Sequence, residues 1–231
     1  MIKSFLIITS FQILLFSSQQ VVLVVSNDFN SSKARLECYE DNKKVFPTID
    51  VNIGKNGLGW GLGEFELTKK TTDPSKYEGD KKAPIGIFKL TDIFGYSYLN
   101  NYKMPYLHTS KNLICVDDSN SPFYNQIIES NGDEKSFEHM RRDDNQYELG
   151  IIVSHNKNAI KRRGSCIFLH VYKSKDSSTA GCTAMSYNDI QKIVSWLDKE
   201  KNPILIQIPK SSSSEIIKLF PNLKNSELLE Q

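Results

Sequence analysis

The chain has 231 residues, with 29 Lys plus Arg against 27 Asp plus Glu and a formal net charge of +2. That length accommodates one large domain or two small ones around a real core. The near balance of charge removes the electrostatic argument for nucleic acid as a partner.

The first twenty residues, MIKSFLIITSFQILLFSSQQ, carry a single Lys3, an apolar run from Phe5 to Phe16 and then small polar residues. This is the pattern of a secretory signal peptide over residues 1–20. The run is shorter than the roughly 20 apolar residues that a membrane span needs. Only an uncleaved anchor extended through Val21–Val25 would reach that length. Val21–Val25 reads instead as the first strand of the mature protein. No second membrane segment is seen, so an exported protein with no membrane span after signal removal is expected.

From residue 21 to about 56 the segments VVLVV, ARLECYE and KVFPTIDVNI alternate or run β-branched, with NDFNSS and EDNKK as turn-rich breaks, as in a meander. GKNGLGWGLG follows, with Gly54, Gly57, Gly59 and Gly61. Its spacing fits neither nucleotide fingerprint and it lacks a strand–turn–helix context, so phosphate binding is not expected. KYEGDKKAPIGIFKLTDIFGY (76–96) places a Gly-Asp turn, Pro84 and Gly86 ahead of a strand-like IFKL. Residues 100–150 read as irregular.

LGIIVSHN (149–156) and CIFLHVYK (166–173) are two β runs. The turn between them carries Lys161, Arg162 and Arg163 and reads as a solvated hairpin tip. Ser186 with Asp189 has capping-box spacing. Ile190, Ile193, Val194 and Leu197 then form one helical stripe, and Asn202-Pro203 is the expected stop. ILIQI (204–208) reads as a buried strand. From Ser211 the chain is polar, at most a short surface helix. The expectation is one mainly β domain over residues 21–210 with a few helices, followed by a polar C-terminal tail, 211–231.

Strand geometry sorts CIFLHVYK into two faces: Cys166, Phe168, His170 and Tyr172 on one, Ile167, Leu169 and Val171 on the other. The aliphatic face belongs to the core, so His170 is expected to face a groove lined by aromatics. Cys166 lies four residues, roughly 13 Å, along the strand from His170 and is a poor partner for it. Cys182 lies twelve residues beyond His170 across a loop rich in Ser, Lys and Asp, and closing such a loop is entropically cheap. A thiolate beside an imidazolium has a depressed pKa and is nucleophilic at neutral pH. The N–H groups of Gly181 and Cys182 are candidate donors to an oxyanion.

Two plainer readings stand beside this one: Cys182 in a disulfide, and His170 as a satisfied structural residue. The four cysteines, Cys38, Cys115, Cys166 and Cys182, allow three full pairings. If Cys182 is a free thiol, at most one bridge forms among the other three. A zinc site from His155, His170 and Cys182 lacks paired-ligand spacing, so no metal is expected.

His170 followed by Ser178-Thr179-Ala180-Gly181-Cys182-Thr183-Ala184-Met185 resembles the signature of the L,D-transpeptidase catalytic (YkuD-like) family, in its STAGC branch. The likeness extends over about residues 21–209 through GKNGLGWGLGE, KYEGDKKAPIGIFKL, FGY, MPY, CVDDSNSPFYNQII, MRRDDNQYELGIIVSHN, GSCIFLHVYK and NPILIQIP. The resemblance implies a β-sandwich or barrel-like catalytic domain and cysteine-based acyl transfer on peptidoglycan stem peptides, without a cofactor.

Cys182 would be the nucleophile, His170 the general base and then acid, and Gly181 part of the oxyanion hole. A backbone carbonyl would orient the imidazole. The acyl group would pass from Cys182 to an amine of a second stem, or to water. His155, Thr179, Ser178 and Tyr172 are the candidate substrate-binding residues.

Two departures from the pattern matter. Better-known crosslinking members carry an arginine two residues after the cysteine, where this chain has Ala184, so that carboxylate clamp is missing. No separate peptidoglycan-binding module is visible. The rival functions are an L,D-carboxypeptidase or endopeptidase using the same pair, and a secreted, disulfide-bonded wall-binding protein without turnover.

Overall fold

Runs of Val and Ile favour extended backbone because a branched Cβ packs well on a pleated surface. The computed structural model describes residues 19–98 and 100–230. The segment read as a signal peptide lies outside them as far as residue 18. Among the described residues no helix is long and apolar enough to cross a membrane.

Among the described residues fourteen strands form in chain order. The first seven are β1 (Gln20–Ser26), β2 (Lys33–Glu40), β3 (Lys43–Lys44), β4 (Ile49–Asn52), β5 (Leu58–Trp60), β6 (Ala83–Gly95) and β7 (Tyr106–His108). Then come β8 (Leu113–Val116), β9 (Ile127–Glu129), β10 (Phe137–His139), β11 (Leu149–Val153), β12 (Phe168–Val171), β13 (Thr183–Met185) and β14 (Ile204–Pro209). The helices are α1 (Tyr187–Trp196) and α2 (Ser213–Leu219).

The large sheet runs β1-β14-β6-β11-β12-β13-β4-β2-β3, and an antiparallel β1–β2 pairing closes it into a barrel. β5 and β7 add to the long strand β6. The fold is therefore mainly β and barrel-like, as expected. β1 is the expected first strand and is buried along its whole length. It pairs in parallel with β14, also buried throughout.

Residues 100–150 are not irregular. They hold β7 and a separate three-stranded sheet, β10-β8-β9. These strands have three or four residues each, too short for alternation to register.

The helix cap is as read: the Ser186 side chain accepts from the Asp189 N–H, and Ile190, Ile193, Val194 and Leu197 are fully buried. The helix ends earlier than expected, at Trp196. Asp198 caps a separate 3-10 turn, and Asn202 then takes a left-handed φ of 44°. The polar C-terminal segment is tied to the domain rather than lying free. Ile216, Leu223, Leu228 and Leu229 are buried, and the Ser226 hydroxyl donates to the buried Glu37 carboxylate at 2.6 Å.

Two cores result. The larger fills the barrel and the space beneath α1. The smaller contains Phe94, Leu113, Cys115, Met140, Tyr147, Cys166, Phe168 and Cys182, and lies where the three-stranded sheet meets the barrel wall. The candidate site is in the smaller one.

Candidate active site

β12 and β13 pair in parallel, so the chain must cross over between them. That crossover, residues 172–182, carries the motif and delivers Cys182 immediately before β13, beside β12. Alternation along β12 then decides which side chains meet. Ile167 and Leu169 enter the barrel core, whereas Phe168 and Cys182 enter the smaller core. His170, on the Phe168 face, packs its ring edge-on to Tyr147 with centroids 5.2 Å apart.

Cys182 is free, as is the buried Cys38, while Cys115 and Cys166 form a disulfide. This leaves the cysteine arithmetic as anticipated: one bridge, one other reduced thiol and an unbridged Cys182. Cys166 is thereby excluded as a nucleophile.

Cys182 Sγ accepts from the Phe168 N–H at 3.3 Å and donates to the Cys166 carbonyl at 3.4 Å. Among the described residues no hydrogen bond joins this sulfur to the His170 imidazole. The two lie on the same face, with Tyr147 edge-on to His170 and in the same small core as Cys182.

The Gly181–Cys182 turn is held by Thr179. Its hydroxyl donates to the Cys182 carbonyl at 2.6 Å and accepts from the Gly181 N–H at 3.1 Å. Gly181 has φ +150°, and a Cβ there would lie 3.0 Å from the Lys82 carbonyl oxygen, so glycine is required. The Gly181 N–H expected to face an oxyanion is thus already engaged by Thr179, and the Cys182 N–H is the donor that remains.

The His170 Nδ1 faces the Val171 carbonyl at 2.8 Å. A carbonyl has no proton to give, so Nδ1 carries the hydrogen and Nε2 presents its lone pair. This is the backbone orienter that the family resemblance implied.

Tyr147 and Glu138 complete the surroundings. The Tyr147 ring, 5 % exposed, also meets Phe168 at 5.5 Å and Phe94 at 5.7 Å between centroids. Its hydroxyl donates to Glu138 Oε2 at 2.5 Å, and the residue shares the small core with Cys182. The Arg142 guanidinium sits over the ring, 5.2 Å from its centroid, and forks onto Asp144. Neither Tyr147 nor Glu138 was singled out in the sequence. Each sits in a charged stretch without periodicity, and only the β11–β12 pairing brings Tyr147 onto His170.

Electrostatics contradict one expectation. His170 is 4 % and Cys182 7 % exposed. Burial, reinforced by the Glu138 charge, pushes the Cys182 thiol up to about 12. Burial, with Arg142 adding to it, pushes the His170 imidazole down to about 4 despite the Val171 carbonyl. The resting pair is a thiol and a neutral imidazole, not a thiolate–imidazolium pair. The reason is desolvation without a facing counter-charge. Glu138 is raised as well, by burial against the Tyr147 hydrogen bond. The buried Lys76, engaged by Asp80 at 2.6 Å and the Tyr77 carbonyl at 2.7 Å, draws the thiol downward by its charge.

The candidate substrate-binding residues scatter. The His155 Nδ1 accepts from the Leu62 N–H at 3.3 Å and its Nε2 donates to the Arg163 carbonyl at 3.0 Å, so both nitrogens are used within the scaffold. Arg163 is correspondingly half-buried and also donates to the Lys76 carbonyl, which corrects the solvated hairpin tip at that residue; Lys161 and Arg162 are exposed as expected. Tyr172 leaves the His170 face at the end of β12 and lines a groove of ≈ 710 Å³ whose walls include Arg35, Asp50 and Lys192 but neither Cys182 nor His170. Ser178 is exposed on the crossover loop, and Thr179 is half-buried and occupied with the turn.

The chain matches the family model of the YkuD L,D-transpeptidase catalytic domain over residues 21–206. No curated protein and no solved structure matches it. The matched span runs from β1 into β14 and takes in both cores, so the chain belongs to the YkuD family of L,D-transpeptidase catalytic domains.

Proposed function

We propose that this chain is an exported cysteine acyltransferase acting on peptidoglycan stem peptides through a Cys182 thioester, with His170 as general base and then acid. The observation that carries this reading is the free Cys182 thiol on the same face as His170, while the neighbouring Cys166 is locked in a disulfide. The Cys115–Cys166 bridge and the signal-like first twenty residues favour an oxidising destination.

The neutral resting pair suits a general-base mechanism. The His170 Nε2 takes the proton from Sγ as substrate enters, and the resulting thiolate attacks the acyl carbonyl. Such catalytic contacts are commonly long before substrate binds and tighten in the complex. The oxyanion of the tetrahedral intermediate is met by the Cys182 N–H, since Thr179 occupies that of Gly181. Collapse returns the imidazolium proton to the departing amine and leaves the thioester. An amine of a second stem then attacks, giving its proton to His170, and Sγ leaves as the thiol.

A hydrolytic outcome, with water as acceptor, is favoured over transfer to the extent that the acceptor amine is weakly held, because both start from the same Cys182 thioester. Ala184 is buried in β13, where better-known crosslinking members place an arginine. Product analysis with defined muropeptides separates the two: crosslinked dimers support transfer, and trimmed monomers alone support an L,D-carboxypeptidase. Turnover that persists in Cys182→Ala would refute both.

A further inference from the structure

Tyr147 packs on His170 and shares the small core with Cys182, and nothing in the acyl-transfer chemistry above uses it. Its ring lies edge-on to the His170 imidazole at 5.2 Å and to Phe168 at 5.5 Å, with Phe94 closing a third side. Its hydroxyl donates to Glu138 at 2.5 Å, and Tyr147 and Cys182 lie buried in the same small core. In the resting thiol the S–H is directed at the Cys166 carbonyl, so the sulfur does not yet require a donor from tyrosine.

We propose that Tyr147 is a positioning residue for both Cys182 and His170: its ring fixes the plane of the imidazole, and its hydroxyl, parked on Glu138 at rest, turns to donate to the sulfur once the thiol has lost its proton. The inference rests on the acyl-transfer reading for its purpose, but its test needs no peptidoglycan.

The physical argument is a competition for one proton donor. Tyr147 has a single O–H and two acceptors, the Glu138 carboxylate and the Cys182 sulfur. A thiol is a weak acceptor, so at rest Glu138 holds the hydrogen. A thiolate in a dry site is a strong acceptor and gains more from a donor than it would in water. No bond breaks in this step beyond the exchange of one hydrogen bond for another. The proton leaving sulfur goes to His170, and the tyrosine keeps its own. Other charged groups bear on the set: Asp117, Glu78 and Arg142 around Glu138, and Lys76 toward Cys182.

The experiment is the rate of Cys182 alkylation by iodoacetamide as a function of pH, with Cys182→Ala as the blank for the buried Cys38. Tyr147→Phe keeps the ring and removes the hydroxyl. It is expected to slow alkylation roughly tenfold or more at fixed pH and to move the profile upward, the effect of one lost hydrogen bond to a charged group. Glu138→Met removes the competing acceptor and is expected to accelerate alkylation.

That acceleration should vanish in the Tyr147→Phe background, because it acts through the hydroxyl. A wild-type profile for Tyr147→Phe overturns the proposal. So does an equal gain from Glu138→Met in both backgrounds, which would leave only the carboxylate's charge at work. Should Tyr147→Phe fail to fold, a Glu138→Met protein that alkylates no faster than wild type refutes the idea by itself. Absence of peptidoglycan chemistry would count against the acyl-transfer reading and leave this result standing.

Discussion

The disulfide offers the most quantitative prediction. Cys115 lies in β8 of the small sheet, and Cys166 lies two residues before β12 of the barrel, 51 residues away in sequence. Reduction frees a loop of that size in the unfolded chain. The loop-closure relation then assigns the bridge about 4 kcal/mol at 25 °C. Against a typical domain stability of about 5–15 kcal/mol, this is a large share.

The perturbation is chemical reduction followed by blocking, compared with oxidised protein in urea unfolding. With a slope of about 2–3 kcal/mol/M, the midpoint should fall by roughly 1.3–2 M. Thiol counting on denatured, unreduced protein should find Cys38 and Cys182 alone. A midpoint unmoved by reduction would refute the reasoning about chain entropy, and four titratable thiols would refute the bridge.

Acid should destabilise the fold through two histidines. Burial lowers the folded pKa of His155 and of His170 from 6.5 to about 4 in each case. The unfolded chain therefore takes up protons first as pH falls. Their stabilisation is complete above about 6.5 and lost on the way to about 4, on the order of 3 kcal/mol each. A thermal midpoint that stays level across that window contradicts the burial argument. Gly150→Ala should cost about 1–3 kcal/mol although alanine normally suits a strand better than glycine. The new Cβ would lie 2.2 Å from Phe94 Cζ, and Phe94 supports both Tyr147 and Phe168. Denaturant unfolding of this variant checks it, and an unchanged midpoint would show that Phe94 has room to yield.

What could be read from the sequence was local. Alternation along CIFLHVYK placed Phe168 and His170 opposite Leu169 because a strand's side-chain period does not depend on its neighbours. Ser186 with Asp189, and the stripe from Ile190 to Leu197, marked α1 for the same reason. Barrel closure depends on β1 pairing with both β2 and β14, residues far apart in sequence, and no local pattern encodes that. The short strands of the small sheet fell below the length at which alternation is visible, so Cys115 could not be assigned to Cys166.

The protonation of the pair was misjudged for a related reason. Desolvation of Cys182 and His170 comes from Tyr147, Phe94 and Phe168, brought together only by packing. The family block SHN suggests His155 as a pocket residue, with a plain strand-end residue as the alternative. Its two hydrogen bonds, to Leu62 and Arg163, come from segments that sequence alone does not juxtapose. Leu223, Leu228 and Leu229 were hidden among polar residues in a tail whose anchor, Ser226 on Glu37, is equally remote.

Intact-mass spectrometry of the protein after incubation with defined muropeptides, followed by peptide mapping, bears most directly on the nucleophile. The account predicts an acyl adduct on Cys182 that is absent in Cys182→Ala and much reduced in His170→Ala. An adduct mapped to any other residue, or no adduct with any stem peptide while Cys182 remains a free thiol, would contradict it.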